Sequence, residues 1–179
     1  MIESLAATPE HVSGLATLLI EATAHGASVS FMHPLSREKA EGYWRKALAD
    51  GRVVLGAFDG GRLVGTVSLV LDLPENQPHR AEIQKVLVAV SHRRRGIARA
   101  LMLAAEREAA QRGRTVLVLD AVSGDPGSRL YESLAWNRAG EIPDFALYPD
   151  GRLCPTTFYW KRVELARAAS LSGRPISPD

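Results

Sequence analysis

The 179-residue sequence has one cysteine, few aromatic residues and no long apolar run. The single cysteine, Cys154, excludes an intramolecular disulfide and any zinc site built from several cysteines. No stretch reaches the roughly 18 consecutive apolar residues that a membrane-spanning helix needs. The opening segment, MIESLAATPEH, lacks the basic and apolar regions of a signal peptide. We therefore expect a soluble, cytoplasmic protein.

The chain also lacks a strong excess of charge of either sign. The net charge is only +2, which is too small to indicate a nucleic-acid-binding protein by itself. Hydrophobic residues make up 46% and charged residues 23%, as in ordinary globular domains that bury a core. We expect one domain over residues 1–163, followed by a polar and flexible tail over 164–179. The histidines His25, His33 and His92 lack metal-ligand spacing, so no metal site is predicted.

Helical patterns open the chain, and strand-like patterns follow them. Thr8 and Pro9 are typical of an N-cap and a first helical residue, and Ser36 is a second candidate N-cap. The runs RVVLGAF and RLVGTVSLVL, separated by DGG, predict a hairpin, and AEIQKVLVAV predicts a third strand. A helix is predicted from about Ile97 to Arg112.

The remaining elements complete a mixed sheet. TVLVLDA is a short apolar run typical of a strand covered on both faces, a short helix begins at Asp125, and TTFYWKRV is a last strand. The predicted order is helix, helix, hairpin, strand, helix, strand, helix, strand. This order indicates an α/β fold whose parallel strands lie around residues 81–90 and 115–121.

The segment VAVSHRRRGIARALM joins the first of these parallel strands to a helix. The first amides of a helix have no partner inside it, and the helix dipole is positive there, so this loop is a candidate anion site. Gly96 allows a phosphate to approach the backbone, and Ala98 keeps the next turn small. Alternatively, the arginines only solvate a helix entry, or they contact nucleic acid.

Three nucleotide-binding loops can be compared with this segment. The Gly-Lys-Ser/Thr ending of a P-loop is absent, and only one glycine of a dinucleotide-binding loop is present. The pattern R/Q-x-x-G-x-G/A is met by RRRGIA, residues 93–98, directly after a predicted strand. In this pattern the segment resembles the pyrophosphate loop of the GNAT superfamily of N-acetyltransferases, which use acetyl-CoA.

Other segments extend this resemblance. RLYESLAW is similar to the L-Y-x-x-x-G-F/W segment of the superfamily, with Ala135 where glycine is common. GASVSFM, RAEIQK, VLDAVSG and GEIPDFALYPDGRLCPTTFYWK resemble the tabtoxin-resistance acetyltransferases, which modify an antimicrobial β-lactam amino acid. The sequence departs from the superfamily at Val90, where proline is frequent, and at Gly124, where many members have asparagine that contacts CoA.

The resemblance implies a GNAT fold and a set of site residues. Tyr131 matches the tyrosine near the CoA sulfur, and Glu82 and Asp120 match acids on the two central strands. Arg93 takes the first position of the loop motif. Backbone groups of Val86, Leu87 and Val88 would bind the pantetheine arm. The pyrophosphate would be bound by the backbone amides of the loop, with added arginine charge; these residues are Arg94, Arg95, Gly96, Ile97, Ala98 and Arg99.

Acetyl transfer to an amine assigns a role to each group. We expect Glu82 to be the main base, with Asp120 assisting, because an ammonium must lose a proton before it attacks. The Val88 amide would donate to the reacting carbonyl, and Tyr131 would protonate the leaving thiolate.

Simpler roles stay open for the same three side chains. Glu82 could pair with Lys85 or Arg80, Asp120 could cap a turn with Ser123, and Tyr131 could be a core residue.

Val29, Phe31 and Met32 in the early loop are candidate substrate-binding residues, whereas Tyr43 and Trp44 on the next helix fit core packing as well as a pocket wall.

The predicted activity is acetyl-CoA-dependent N-acetylation of a small primary amine, amino-acid-like or a β-lactam antimicrobial. Polyamines, aminoglycosides and protein N-termini are other acceptors. The alternative is a non-catalytic CoA-binding module, and the resemblance also implies a homodimer. No nucleic-acid or membrane partner is expected.

Overall fold

The computed structural model describes residues 1–165, so most of the predicted tail, residues 166–179, lies outside the described residues. The described residues form one seven-stranded sheet in the order β1-β2-β3-β4-β5-β7-β6. The strands are β1 Ile2–Ser4, β2 Val53–Asp59, β3 Arg62–Val70, β4 Arg80–Val88, β5 Val116–Val122, β6 Asn137–Leu147 and β7 Leu153–Arg162. The helices are α1 Pro9–Ala24, α2 Arg37–Ala49, α3 Ile97–Gln111 and α4 Pro126–Ser133, with a short 3₁₀ helix at Val90–His92.

The predicted α/β class is confirmed, and the predicted elements follow one another as expected, but two further strands were missed. β1 has only three residues, too few to show an alternating pattern. β6 lies at the edge of the sheet, and nearly all of its side chains are exposed. Because neither strand alternates apolar and polar residues, the sequence carries no period-2 signal for them.

The helix ends follow local side-chain chemistry. The Thr8 hydroxyl accepts a hydrogen bond from the His11 amide at 3.3 Å, and Pro9 is the first residue of α1. The Ser36 hydroxyl accepts from the Lys39 amide at 3.2 Å at the start of α2. Both predicted N-caps are therefore confirmed, since each side chain satisfies an amide that has no helical partner.

Helices cover the sheet on both faces. Leu15, Leu19 and Trp44 belong to a buried cluster between α1, α2 and one face of the sheet. Leu101 and Leu117 belong to a second cluster on the opposite face, with α3 and α4. Trp44 is fully buried, so core packing is the correct interpretation for this residue.

β4 and β5 run parallel for only three residue pairs and then separate. The pairs are Arg80 with Val116, Ala81 with Leu117, and Glu82 with Val118. Beyond them β5 continues against β7, whereas β4 continues against β3. The predicted splayed strands are confirmed, and they leave a gap whose β4 edge has no partner strand.

Two local features shape this gap. In β4 the pairing with β3 shifts near Lys85, whose backbone lies in the left-handed region at φ 54°. Such a bulge re-aims a side chain and is often found next to functional sites. β5 was expected to be covered on both faces, which is wrong: Leu117 and Leu119 are buried, but Asp120 is exposed because β4 has turned away.

Candidate active site

The loop before α3 presents a row of free amides. Arg94 and Gly96 have φ values of 63° and 77°, and Gly96 is the N-cap of α3. Within residues 1–165, none of the six backbone amides from Arg94 to Arg99 donates a hydrogen bond to the protein. Left-handed turns before a helix N-terminus form a concave anion site. This loop therefore has the donors and the shape to bind a pyrophosphate.

The arginine side chains around this loop are exposed and available. Arg93, Arg94, Arg95 and Arg99 form no ion pair with the described residues. Arg93 Nε donates to the Val88 carbonyl at 3.4 Å, and Arg99 Nη1 donates to the Ser133 hydroxyl at 3.2 Å. These contacts hold two arginines against β4 and α4, so their charges lie beside the free amides.

His92 has a contact that the sequence did not suggest. Its Nε2 lies 3.4 Å from Asp59 Oδ2, and its Nδ1 lies 2.8 Å from the Ser91 hydroxyl. Asp59 ends β2, so the contact ties the loop to the β2–β3 hairpin. His92 thus has a structural position next to the anion site.

Glu82 lies where the two parallel strands begin to separate. Arg80 Nη1 is 2.9 Å from Glu82 Oε1, and Gln84 Nε2 donates to Glu82 Oε2 at 3.4 Å. The sequence allowed an ion pair of Glu82 with either Lys85 or Arg80, and the structure has the ion pair with Arg80. Both carboxylate oxygens already have partners inside the protein.

Asp120 differs from Glu82 in this respect. Asp120 has no ion pair within residues 1–165. The Ser123 hydroxyl forms a hydrogen bond with the Thr157 hydroxyl at 2.7 Å, so the turn cap between Asp120 and Ser123 that the sequence allowed is absent from the described residues. Desolvation by the surrounding chain raises the pKa of the Asp120 carboxyl; the Lys85 ammonium lowers this pKa and the Glu82 charge raises it. A cavity of about 130 Å³ lies between the two acids, lined by Glu82, Ile83, Val118, Leu119, Asp120 and Phe158.

Tyr131 lies on α4 beside the end of β5. Its side chain is 7% exposed, and its ring contacts the rings of Trp136 and Tyr159 at 6.3 and 5.5 Å between centroids. Burial raises the pKa of the hydroxyl far above its ordinary value, and the negative charges of Asp125 and Asp120 raise it further. Tyr131 is therefore both a core residue and a hydroxyl that keeps its proton.

Comparison with known proteins agrees with this geometry. Residues 20–136 match the model of the acetyltransferase (GNAT) family. The chain belongs to this family. The acetyltransferase is thus an acetyl-CoA-dependent enzyme, and its mixed sheet with the split between β4 and β5 is the GNAT fold.

Solved structures share the fold at low sequence identity. The ribosomal-protein-alanine N-acetyltransferase of Brucella melitensis is 24% identical with a TM-score of 0.79, covering 91% of this chain and 99% of that one. The phosphinothricin acetyltransferase of Sinorhizobium meliloti, in complex with acetyl-CoA, is 15% identical with a TM-score of 0.78, covering 98% and 92%. YncA of Salmonella typhimurium, with its cofactor acetyl-CoA, is 20% identical with a TM-score of 0.77, covering 96% and 98%.

Further polar residues that sequence reasoning did not assign lie around Gln84 and Lys85 of β4. Arg52 Nη1 donates to the Tyr43 hydroxyl at 2.7 Å and to Gln84 Oε1 at 3.2 Å. Lys85 Nζ donates to the Ser30 hydroxyl at 3.1 Å. These residues come from separate parts of the chain and share no motif. The sequence signal that could have indicated them is the pair of polar residues, Gln84 and Lys85, within the β4 segment.

The early loop closes over the same side of the sheet. Val29 and Phe31 pack against the α1–α2 cluster, and Phe31 meets the Tyr43 ring edge-on at 5.2 Å. Met32 is 44% exposed. The Ser28 hydroxyl donates to the Leu147 carbonyl at 2.8 Å, so the loop is tied to the β6–β7 hairpin. Of the three predicted substrate residues, Phe31 thus packs on Tyr43.

Residues 1–165 lack both a metal-binding cluster and a membrane-spanning helix. No three His, Cys, Asp or Glu side chains are grouped so that they could hold a metal ion. No helix there has both the length and the apolar character needed to cross a membrane.

Proposed function

We propose that the acetyltransferase moves the acetyl group of acetyl-CoA to the primary amine of a small, amino-acid-like molecule by direct attack. The observation that carries this proposal is the arrangement around the gap. Asp120, an acid with no ion pair among residues 1–165, and Tyr131, a protonated tyrosine, flank the gap beside the free amides of the α3 loop. A module that only binds CoA would need the loop but neither of these side chains.

The cosubstrate would lie along β4 and end at the α3 loop. Acetyl-CoA, when bound, supplies an acetyl group on a thioester. The amides from Arg94 to Arg99 would hold its pyrophosphate, with charge from the loop arginines. The backbone of Val86, Leu87 and Val88 would pair with the pantetheine arm, because this edge of β4 has no strand partner beyond Glu82.

Asp120 is the better candidate for the base that removes the amine proton. Both oxygens of Glu82 already have protein partners, whereas Asp120 has a raised pKa and faces the gap. A base works best when its pKa approaches the working pH. We therefore propose that Asp120 accepts the proton of the amine and that Glu82 orients the amine. These roles are the reverse of those expected from the sequence, in which Glu82 was the main base.

Tyr131 would supply the second proton. As the new C–N bond forms and the C–S bond breaks, the leaving sulfur needs a proton. A tyrosine hydroxyl is a weaker acid than a thiol, so Tyr131 would donate a hydrogen bond to the developing thiolate and pass on its proton only in concert with the breaking C–S bond, and solvent would then return that proton to Tyr131. The raised pKa of Tyr131 ensures that the hydroxyl is protonated at any physiological pH. The Val88 amide would donate to the carbonyl oxygen on which charge develops.

The fold alone does not select the acceptor. Two structures with nearly equal TM-scores are named for different acceptors, ribosomal-protein alanine and phosphinothricin. The resemblance of the early loop and the C-terminal segment to tabtoxin-resistance acetyltransferases favours an amino-acid-like acceptor, including a β-lactam antimicrobial. A protein N-terminus and a polyamine are the competing acceptors.

A thiol-release assay with acetyl-CoA tests this function. The panel contains amino acids, β-lactam amino acids, polyamines, aminoglycosides and a peptide with a free N-terminus. We expect release with the amino-acid-like members and little with the others. Tight CoA binding without release for any amine would replace the proposal with the CoA-binding module.

A further inference from the structure

Two cations on the acceptor side of the gap have no carboxylate partner. Arg52 and Lys85 form no ion pair within residues 1–165. Both approach the Tyr43 ring, with Arg52 Cζ at 5.7 Å and Lys85 Nζ at 5.5 Å from its centroid. Both side chains are half-buried, so solvent screens their charges only in part.

The positive charges of Arg52 and Lys85 are unfavourable for each other. Burial lowers the pKa of Lys85 to about 8, and the positive charge of Arg52 lowers it as well, whereas the Asp120 charge raises it. Two like charges beside one ring therefore destabilise each other. Arg80 and Glu82 form an ion pair, so among residues 1–165 the Asp120 charge acts on Lys85 while Arg52 adds a second positive charge beside it.

The hydrogen bonds of the two cations leave donors free. Arg52 uses Nη1 for both Tyr43 and Gln84, while its Nε and Nη2 donate to no residue in the described range. These two nitrogens form the fork that binds a carboxylate through parallel hydrogen bonds. Lys85 uses one of its three hydrogens for Ser30.

Neutral neighbours hold the two cations in place. Tyr43 and Gln84 fix Arg52, and Gln84 in turn donates to Glu82, which connects Arg52 to the acids of the gap. Ser30 and Lys85 both have left-handed backbones, at φ 72° and 54°. Non-glycine residues adopt such conformations at a cost, and they are often found at binding sites.

We propose that Arg52 and Lys85 form an anion subsite that binds the carboxylate of the acceptor. This inference rests on the proposed function, and it defines the acceptor as an amino acid whose ammonium lies toward Asp120 and whose carboxylate lies toward the two cations. Each charge of the acceptor then meets an opposite charge in the protein. A polyamine or an aminoglycoside would place further positive charge beside Arg52 and Lys85.

Matched acceptors test the subsite. A panel of L-amino acids, each with its primary amide, is assayed with the wild type and with Arg52→Met, Lys85→Met and the control Lys39→Met. Lys39 is a suitable control because it is exposed and lies 5.9 Å from the Phe31 centroid on the same aromatic pair. Comparing the two probes across variants cancels the different basicities of their amines.

We expect the wild type to favour the acids over the amides in kcat/KM. Arg52→Met and Lys85→Met should each lower the ratio of kcat/KM for the acids to kcat/KM for the amides by about tenfold or more, compared at a pH above the acidic limb of both profiles. Lys39→Met should behave as the wild type. Equal losses for acids and amides, or a wild type without preference, would overturn the subsite.

A binding measurement separates this inference from the proposed function and does not depend on the variants folding. Calorimetry compares an N-acetyl-L-amino acid with its amide on the wild type in the presence of CoA. Carboxylate-dependent binding together with no thiol release for any amine would reject the function but support the subsite. Absence of carboxylate-dependent binding would reject the subsite, even if amines are acetylated.

Discussion

The two halves of the proposed active site flank β4 and would bind by different means. The proposed cosubstrate half has free backbone amides at the start of α3, and its shape depends on one glycine with φ 77°. The proposed acceptor half consists of side chains from the early loop, α2, the residue before β2, β4 and β5, among them Ser30, Tyr43 and Lys85. A site built from backbone groups tolerates most side-chain substitutions but not a change of backbone conformation. A site built from side chains loses binding when one of those side chains is replaced.

The largest effect is expected in the acceptor half, from the loss of the base. Asp120→Asn keeps the size of the side chain but cannot accept the amine proton, so kcat should fall by about 10²- to 10⁴-fold. Glu82→Gln should cost less, because Glu82 already has Arg80 and Gln84 as partners. Steady-state kinetics measures both. If Glu82→Gln has the larger effect, the roles of the two acids are those expected from the sequence.

The next effect is in the cosubstrate half. Gly96→Val puts a β-branched residue at a positive φ, which costs about 1–3 kcal/mol or distorts the loop, so acetyl-CoA should bind about 10- to 100-fold more weakly. The space beside Gly96 is open in the protein, so the backbone conformation causes the loss. Calorimetric titration with acetyl-CoA gives the affinity.

Arg94→Ala is the matched change for this prediction. Arg94 is exposed and makes no ion pair within the described chain, so its loss should weaken binding only a few-fold by reducing the local charge. The reverse ranking of Gly96→Val and Arg94→Ala would mean that side-chain charge, and not backbone geometry, makes the cosubstrate site.

The contrast between the two halves also explains what the sequence could predict. A backbone site needs consecutive residues of a defined shape, so it leaves a local motif such as RRRGIA between a strand and a helix. The α/β class, both N-caps and the parallel pair were predictable for the same reason, since each depends on neighbouring residues. Arg52 and Lys85 meet only through the tertiary fold, and the bulge that re-aims Lys85 has no sequence signal.

A smaller effect is expected at Tyr131, which belongs to neither half alone. Tyr131→Phe keeps the ring packing against Trp136 and Tyr159 but removes the hydroxyl that would donate a hydrogen bond to the leaving sulfur. The loss of one hydrogen bond of about 1.4 kcal/mol should lower kcat by about tenfold. The affinity for acetyl-CoA should stay the same, because the pyrophosphate contacts are elsewhere. Single-turnover kinetics separates the chemical step from binding. An unchanged rate of that step would leave Tyr131 with a core role only.

The smallest effect is a shift in pH dependence at Lys85. The Lys85 ammonium lowers the pKa of Asp120, so Lys85→Met should raise that pKa and move the acidic limb of the kcat/KM profile to higher pH. Amide acceptors are the right probes, because their binding does not need the carboxylate subsite. Lys39→Met should leave the profile where it is, since no contact joins Lys39 to Asp120 in the described residues.

The same variant should be more stable than the wild type. The pKa of Lys85 is about 8 in the folded protein and 10.5 when unperturbed, so the unfolded chain binds more protons between these values. Wild-type stability should therefore rise as pH increases from about 8 to 10.5, and Lys85→Met should lack this rise. At pH 7 the variant should gain on the order of 1–3 kcal/mol in free energy of unfolding. Urea unfolding across this range measures the difference, and a less stable variant at pH 7 would indicate that Lys85 supports the fold and not the acceptor.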